Sequence, residues 1–304
     1  MELSIFTKVR ITLVIAVGVI LLGYVGWPLL KPAAPLDAVV FFNANINPAK
    51  LILTMLLAFA AGLIGGFIAR PYTRQIGIIA APAGLAAVSL RSGDMATLLK
   101  ANATVELRHS VYTALSWEGV LWLAVVASGF LGAILANIIW PGKSDKLIEN
   151  DVLTPFYRDK KTFYMNVATS IAITLFLSHF IIKGIARDVI VGNQTASVIS
   201  QPANLQAVFA VFIGFLACGF VCKYLLSASY LWPAIATAIV CAVEMTLNGR
   251  TASLTSLSQS WPIGFYFSGT GAVLPVQYIA FGTLGSVVGY WLAIRSAWWR
   301  KFVA

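Results

Sequence analysis

From Ile11 to Leu30 the chain reads ITLVIAVGVILLGYVGWPLL, without one charged side chain. That is the length a helix needs to cross a hydrocarbon core, about 20 residues. The pattern recurs at 51–69, 76–90, 119–140, 164–186, 205–226, 230–247 and 274–294. No other feature constrains the fold as much, because a chain in lipid must satisfy its backbone N–H and C=O groups internally. A helix does this within each segment. Charged residues make up only 11% of 304 positions, against roughly a quarter in a soluble domain, so a water-facing surface cannot be built from this chain. The expected fold class is all-α, a polytopic transmembrane bundle of about eight spans.

The first run exceeds the h-region of a signal peptide, about 7–15 residues, and no small-x-small cleavage site follows closely. It is expected to stay as a span. The net charge of +10 comes from basic residues set singly between apolar runs. This distribution marks topology and lipid headgroups and does not suggest nucleic acid. With eight spans both termini share a side. Placing them in the cytoplasm puts thirteen of the 21 basic residues inside, Lys8, Arg70, Lys160 and Arg300 among them, and eight outside. The expected location is therefore the cell (inner) membrane, multi-pass, with the lipid bilayer as principal partner. Asn102 and Asn193 begin glycosylation-like tripeptides and fall on the outer side.

Two halves of the chain repeat each other. Pro48, Ala49 and Leu51 correspond to Pro202, Ala203 and Leu205 at an offset of 154 (202 − 48). Gly66, Phe67 and Arg70 correspond to Gly219, Phe220 and Lys223 at 153 (219 − 66), and GFLG at 129–132 corresponds to GTLG at 282–285 at 153 again. Each motif has a use at a span: a proline at its mouth costs no helical hydrogen bond, and glycines let helices approach closely in lipid. The expected architecture is two parallel four-helix repeats, 1–152 and 153–304, forming a single membrane domain. Four crossings per half give both halves one orientation, so the pseudo-twofold axis lies along the membrane normal.

Short or proline-bearing spans at matching positions of two repeats point to a transport site. Here they are 76–90, with Pro82, and 230–247, with Pro233. A short helix buried in a thin protein centre explains them as well. Applying the 153 offset to Arg91 gives Glu244, a carboxylate well inside an apolar run, and charges within spans are usually paired or face a cavity. Arg91 and Glu244 are the candidate ion pair. His179, four residues before Lys183 on one helix face, is a further candidate for the substrate path. The segment 94–116 reads as a surface helix or a cap, and 248–271 as a vestibule or docking surface rich in Trp261, Phe265, Tyr266 and Phe267. Cys218, Cys222 and Cys241 lack both zinc spacing and a disulfide pattern. No cofactor and no metal site is expected.

Three function classes follow. The first is a small-solute permease or channel. The second is a non-catalytic subunit that assembles with other membrane subunits. The third, an enzyme at the outer face using His109, Glu118 or His179, lacks a paired acid–base constellation. The expectation is therefore transport by a protein that is not an enzyme.

Overall fold

The computed structural model describes residues 5–32, 34, 37–41, 47–141, 160–191, 197–260 and 268–303. Asn193, Trp261, Phe265, Tyr266, Phe267, most of the segment joining the two halves and the boundary at 152/153 lie outside the described residues.

Local chemistry sets the helix starts. Asn47 accepts a hydrogen bond from the Lys50 N–H at 3.0 Å, and Pro48 follows as the first helical residue of α3 (Pro48–Ile68). An Asx cap followed by a proline is a preferred helix entry. Before α3 come α1 (Ile5–Gly18), which widens into a π-helical stretch at Val19–Val25, and the short α2 (Trp27–Leu30). After it come α4 (Thr73–Gly77), α5 (Ala80–Arg91) and α6 (Met95–Ala101), capped by Asp94, then the 35-residue α7 (Val105–Ile139), capped by Thr104. The second half holds α8 (Lys160–Ile185), an antiparallel hairpin of β1 (Val189–Val191) and β2 (Ser197–Ser200), α9 (Asn204–Leu226), α10 (Leu231–Asn248) and α11 (Thr251–Ser260). A 3₁₀ turn at Gly269–Ala272 leads into α12 (Pro275–Val303).

Seven of these helices are long and apolar enough to cross a membrane. Among the described residues an eighth crossing exists only if the pair Gln75–Arg91 and Met95–Ala101, bent by 50°, counts as one broken span. The third expected span is thus a short helix with a bend, not a straight crossing. For the segment 94–116, expected as a surface helix or a cap, the surface-helix reading is the one the structure does not meet: Met95, Leu98 and Leu99 of α6 are buried. Thr104 starts α7 fifteen residues ahead of the expected span start at 119, so 105–116 is an extension of the fourth span and not a separate surface helix.

Enclosure varies strongly among the apolar helices. α12 and α10 are the most buried, and α1 and α8 the most peripheral. In α5 every residue from Ala80 to Ala86 is buried, as are Val88 and Ser89. Around the outside, Leu56 of α3, Leu131 of α7, Phe180 of α8 and Leu205 of α9 are exposed, giving the lipid-compatible face a membrane bundle requires.

Glycine packs against backbone at several helix crossings, Gly18 of α1 against Ala80 of α5 among them. In the crossing of α3 with α7, a methyl group added at Gly132 would lie 2.1 Å from the Phe59 carbonyl oxygen, and one at Gly62 would lie 1.9 Å from the Gly129 oxygen. In the crossing of α9 with α12, a methyl at Gly285 would lie 2.4 Å from the Phe212 oxygen, and one at Gly289 would lie 2.0 Å from the Leu216 oxygen. Contacts this close are available to glycine alone. They bring dispersion and weak Cα–H···O contacts into a medium that offers no hydrophobic drive between helices.

Candidate functional site

α10 carries Glu244 into a crowded junction. The residue is 2% exposed, and its Oε1 lies 2.5 Å from Nδ1 of His179 on α8, whose side chain is 31% exposed. With the carboxylate ionised, the imidazole N–H donates to it. The other oxygen, Oε2, is buried and has no hydrogen-bond partner. One turn earlier on α10, Cys241 packs against Gly119 of α7, whose missing side chain lets the two helices close to about van der Waals contact. Glu118, next to that glycine, is 3% exposed. Both carboxylates lie within electrostatic reach of the Cys241 thiol.

A neutral hydrogen-bond layer closes the same end of α10. Asn248 donates through Nδ2 to the Glu244 carbonyl at 2.9 Å and to Thr270 Oγ1 at 3.2 Å. Ser268 donates to Asn248 Oδ1 at 3.3 Å, and Tyr278 of α12 donates its phenol to the Thr270 carbonyl at 2.9 Å. His109 of α7 donates through Nδ1 to the Gly249 carbonyl at 2.8 Å, tying the α7 extension to the end of α10. Arg108 is 3% exposed and donates to the Asn102 carbonyl at 3.2 Å.

The two charges expected to pair take different partners. Arg91, at the end of α5, donates to the Gly23 carbonyl at 3.4 Å and lies over the rings of Trp27 (4.3 Å) and Tyr24 (5.8 Å). Glu244 takes His179 instead. The reason is local. The π-helical end of α1 and the turn after it present a carbonyl and two aromatic faces beside Arg91, which satisfy a guanidinium without a carboxylate. Pro82 and Pro233 also have a simpler role than interruption. Each is the third residue of its helix, α5 or α10, where an N–H would lack an intrahelical partner. They begin helices and do not break them.

His179 and Glu244 are therefore brought together, whereas Arg91, Pro82 and Pro233 stand elsewhere. Lys183 is exposed on α8. Glu118 belongs to the junction although the apolar pattern left it outside a span. The signal for it was Thr104: read as an N-cap, it starts α7 early and places Glu118 inside a helix of 35 residues. Among the described residues no group of three His, Cys, Asp or Glu side chains is placed to hold a metal ion. All three cysteines are free and buried. No family model, curated protein or solved structure matches the chain.

Proposed function

We propose that this protein is a small-solute permease of the cell membrane, built from a duplicated four-helix unit. One observation carries the reading: a carboxylate with a spare, unpartnered oxygen is held inside an apolar span, against an imidazole from a second helix. Ionisable groups at such depth are costly, and where proteins keep them they serve ion or substrate passage by default. An assembly subunit needs no such group.

The duplication is supported by contact register. The glycine–carbonyl contact between Gly132 and Phe59 recurs between Gly285 and Phe212, with both partners displaced by 153 (285 − 132; 212 − 59). Arg70, just past α3, lies 4.1 Å from the centre of the Trp140 ring, just past α7, and its counterpart Lys223 lies 5.4 Å from that of Tyr290, again a cation near the end of one helix over an aromatic of its neighbour, though the aromatics are 150 apart (290 − 140). Packing across the halves is reciprocal, α5 on α12 and α10 on α7. A twofold axis relating 1–152 to 153–304 along the membrane normal accounts for all three. The basic-residue bias places both termini in the cytoplasm under this reading.

Stopped-flow light scattering on proteoliposomes tests the permease. Purified protein, checked by sizing to be free of stoichiometric companions, is mixed with hyperosmotic glycerol, acetate, alanine or xylose. Re-swelling faster than in protein-free liposomes for at least one solute, slowed in the Glu244→Gln variant, is the expected result. Behaviour identical to empty liposomes for every solute, together with co-purification of a second membrane protein in fixed ratio, would replace transport by assembly.

A further inference from the structure

We propose that Glu244 and His179 form a proton-binding site, and that the proton is the ion a transport cycle through this chain would carry or be driven by. The second half of that statement rests on the permease reading; the site itself does not.

Consider first what faces Glu244. His179 of α8 touches it, and Cys241 of its own helix and Tyr278 of α12 lie within electrostatic reach; Glu118 of α7 stands in reach of that thiol and Tyr112 of α7 in reach of that phenol. Asn248 and Thr270 add neutral polar groups, but the Asn248 amide hydrogens are given to a carbonyl and a hydroxyl and leave the Glu244 carboxylate unserved. No lysine or arginine stands in this set. Arg108, the next cation on α7, lies ten residues from Glu118 (118 − 108), about 15 Å along the axis, and is turned to Asn102. The buried Glu244 carboxylate thus has one imidazole on Oε1 and no hydrogen-bond partner on Oε2. Charge taken out of water must be neutralised or compensated, and a proton does this with no further ligand.

The donor set also selects among cations. A hard metal ion or sodium takes about six oxygen ligands, whereas the groups within reach of Glu244 include a thiol and a phenol and an amide already engaged. Among the described residues no metal-binding trio exists. A proton needs only the lone pair that Oε2 and Oε1 offer.

His179 supplies the route. It is about one-third exposed while its partner is sealed, so its Nε2 takes the incoming proton and the Nδ1 proton then passes to Glu244 Oε1. The imidazole ends neutral with its hydrogen on Nε2, and the glutamic acid is neutral as well. One proton has entered and the charge of the pair has gone from −1 to 0. Release reverses each step.

Infrared difference spectroscopy of the protein in phosphatidylcholine liposomes, acid against alkaline buffer, reads the site directly. The wild type should gain a carboxylic-acid C=O band on acidification. Glu244→Gln should lose that band and take up one proton fewer per chain, and Glu118→Gln should retain it at a shifted frequency. Glu244→Asp keeps a carboxylate and guards against a variant that fails to fold: its band should persist and move. In His179→Gln the band should remain and form more slowly after a pH jump. Proton uptake by Glu244→Gln equal to wild type, or no carboxyl band in the folded wild type, would overturn the site whatever the flux assay gives. A Glu244 band without solute or proton flux in the same liposomes would support the site and remove the permease reading.

Discussion

Gly132 and Gly285 are required by what their missing side chains would touch, since each lies inside a regular helix. Replacing either by alanine improves helix propensity by about 1 kcal/mol. It also drives a methyl group to 2.1 or 2.4 Å from a backbone oxygen, and backbone cannot rotate away. Overpacking of this kind costs about 1–3 kcal/mol, so packing wins. Gly132→Ala and Gly285→Ala are each expected to lower stability by up to about 2 kcal/mol in a steric-trap or detergent-unfolding measurement. If duplication holds, the two costs should agree closely. Asp188 gives a pH dependence outside the spans, where burial raises its pKa above the usual aspartate range and a hydrogen bond with Gln201 partly opposes the shift. The folded chain therefore binds the proton more tightly than the unfolded chain. Stability from this residue grows as pH falls through its folded pKa and is lost as pH rises. Thermal unfolding from about pH 4 to 7 should show this slope in wild type and a flatter one in Asp188→Asn. Glu118 marks the limit of reading residues alone. Hydropathy weighs neighbours, and Ser116, Trp117 and Glu118 dilute the apolar signal where the helix continues unbroken.

At the scale of elements, α8 carries a ladder whose purpose the sequence leaves ambiguous. Ser170, Thr174 and Ser178, four residues apart and fully buried, each donate to the carbonyl one turn back at 2.6–2.7 Å. Cys218 and Cys222 of α9 point their thiols at the Thr174 and Ser170 carbonyls from across the interface. Successive hydroxyls lie about 6 Å apart along the axis, twice the reach of a hydrogen bond, with small side chains packed beside them. This is a seam for close helix packing, and not a proton wire descending from His179. Thr174→Val should cost about 0.6 kcal/mol, the average for such bonds in membrane proteins, and leave the proton uptake of Glu244 unchanged. Reduced uptake in that variant would return the ladder to the conduction path. The helices themselves were legible because apolar runs of this length have one solution in lipid. Their ends were less so. Pro82 and Pro233 sit inside apolar runs, and only the backbone reveals the turns at Ile78 and Ile79 and at Tyr230 ahead of them, so that each proline falls in a first turn.

For the whole molecule, the apolar pattern was enough to read helices of membrane length, seven of which the structure holds among the described residues. The partner of Glu244 was not legible, because a repeat relates equivalent positions and says nothing of which positions touch. His179 and Glu244 are 65 residues apart (244 − 179), on helices that meet only in the folded bundle. The same long-range logic governs α5. Its Ala-, Gly- and Pro-rich surface is buried over nearly its whole length, and part of the wall around it is α12, which begins 184 residues downstream of Arg91 (275 − 91). A ribosome adding 5–20 residues per second needs roughly 10–40 s to cover that distance. Through that interval α5 must wait beside α1 and α3 with one side uncovered, so the first half of the bundle reaches its final packing only after the most C-terminal described helix has been made.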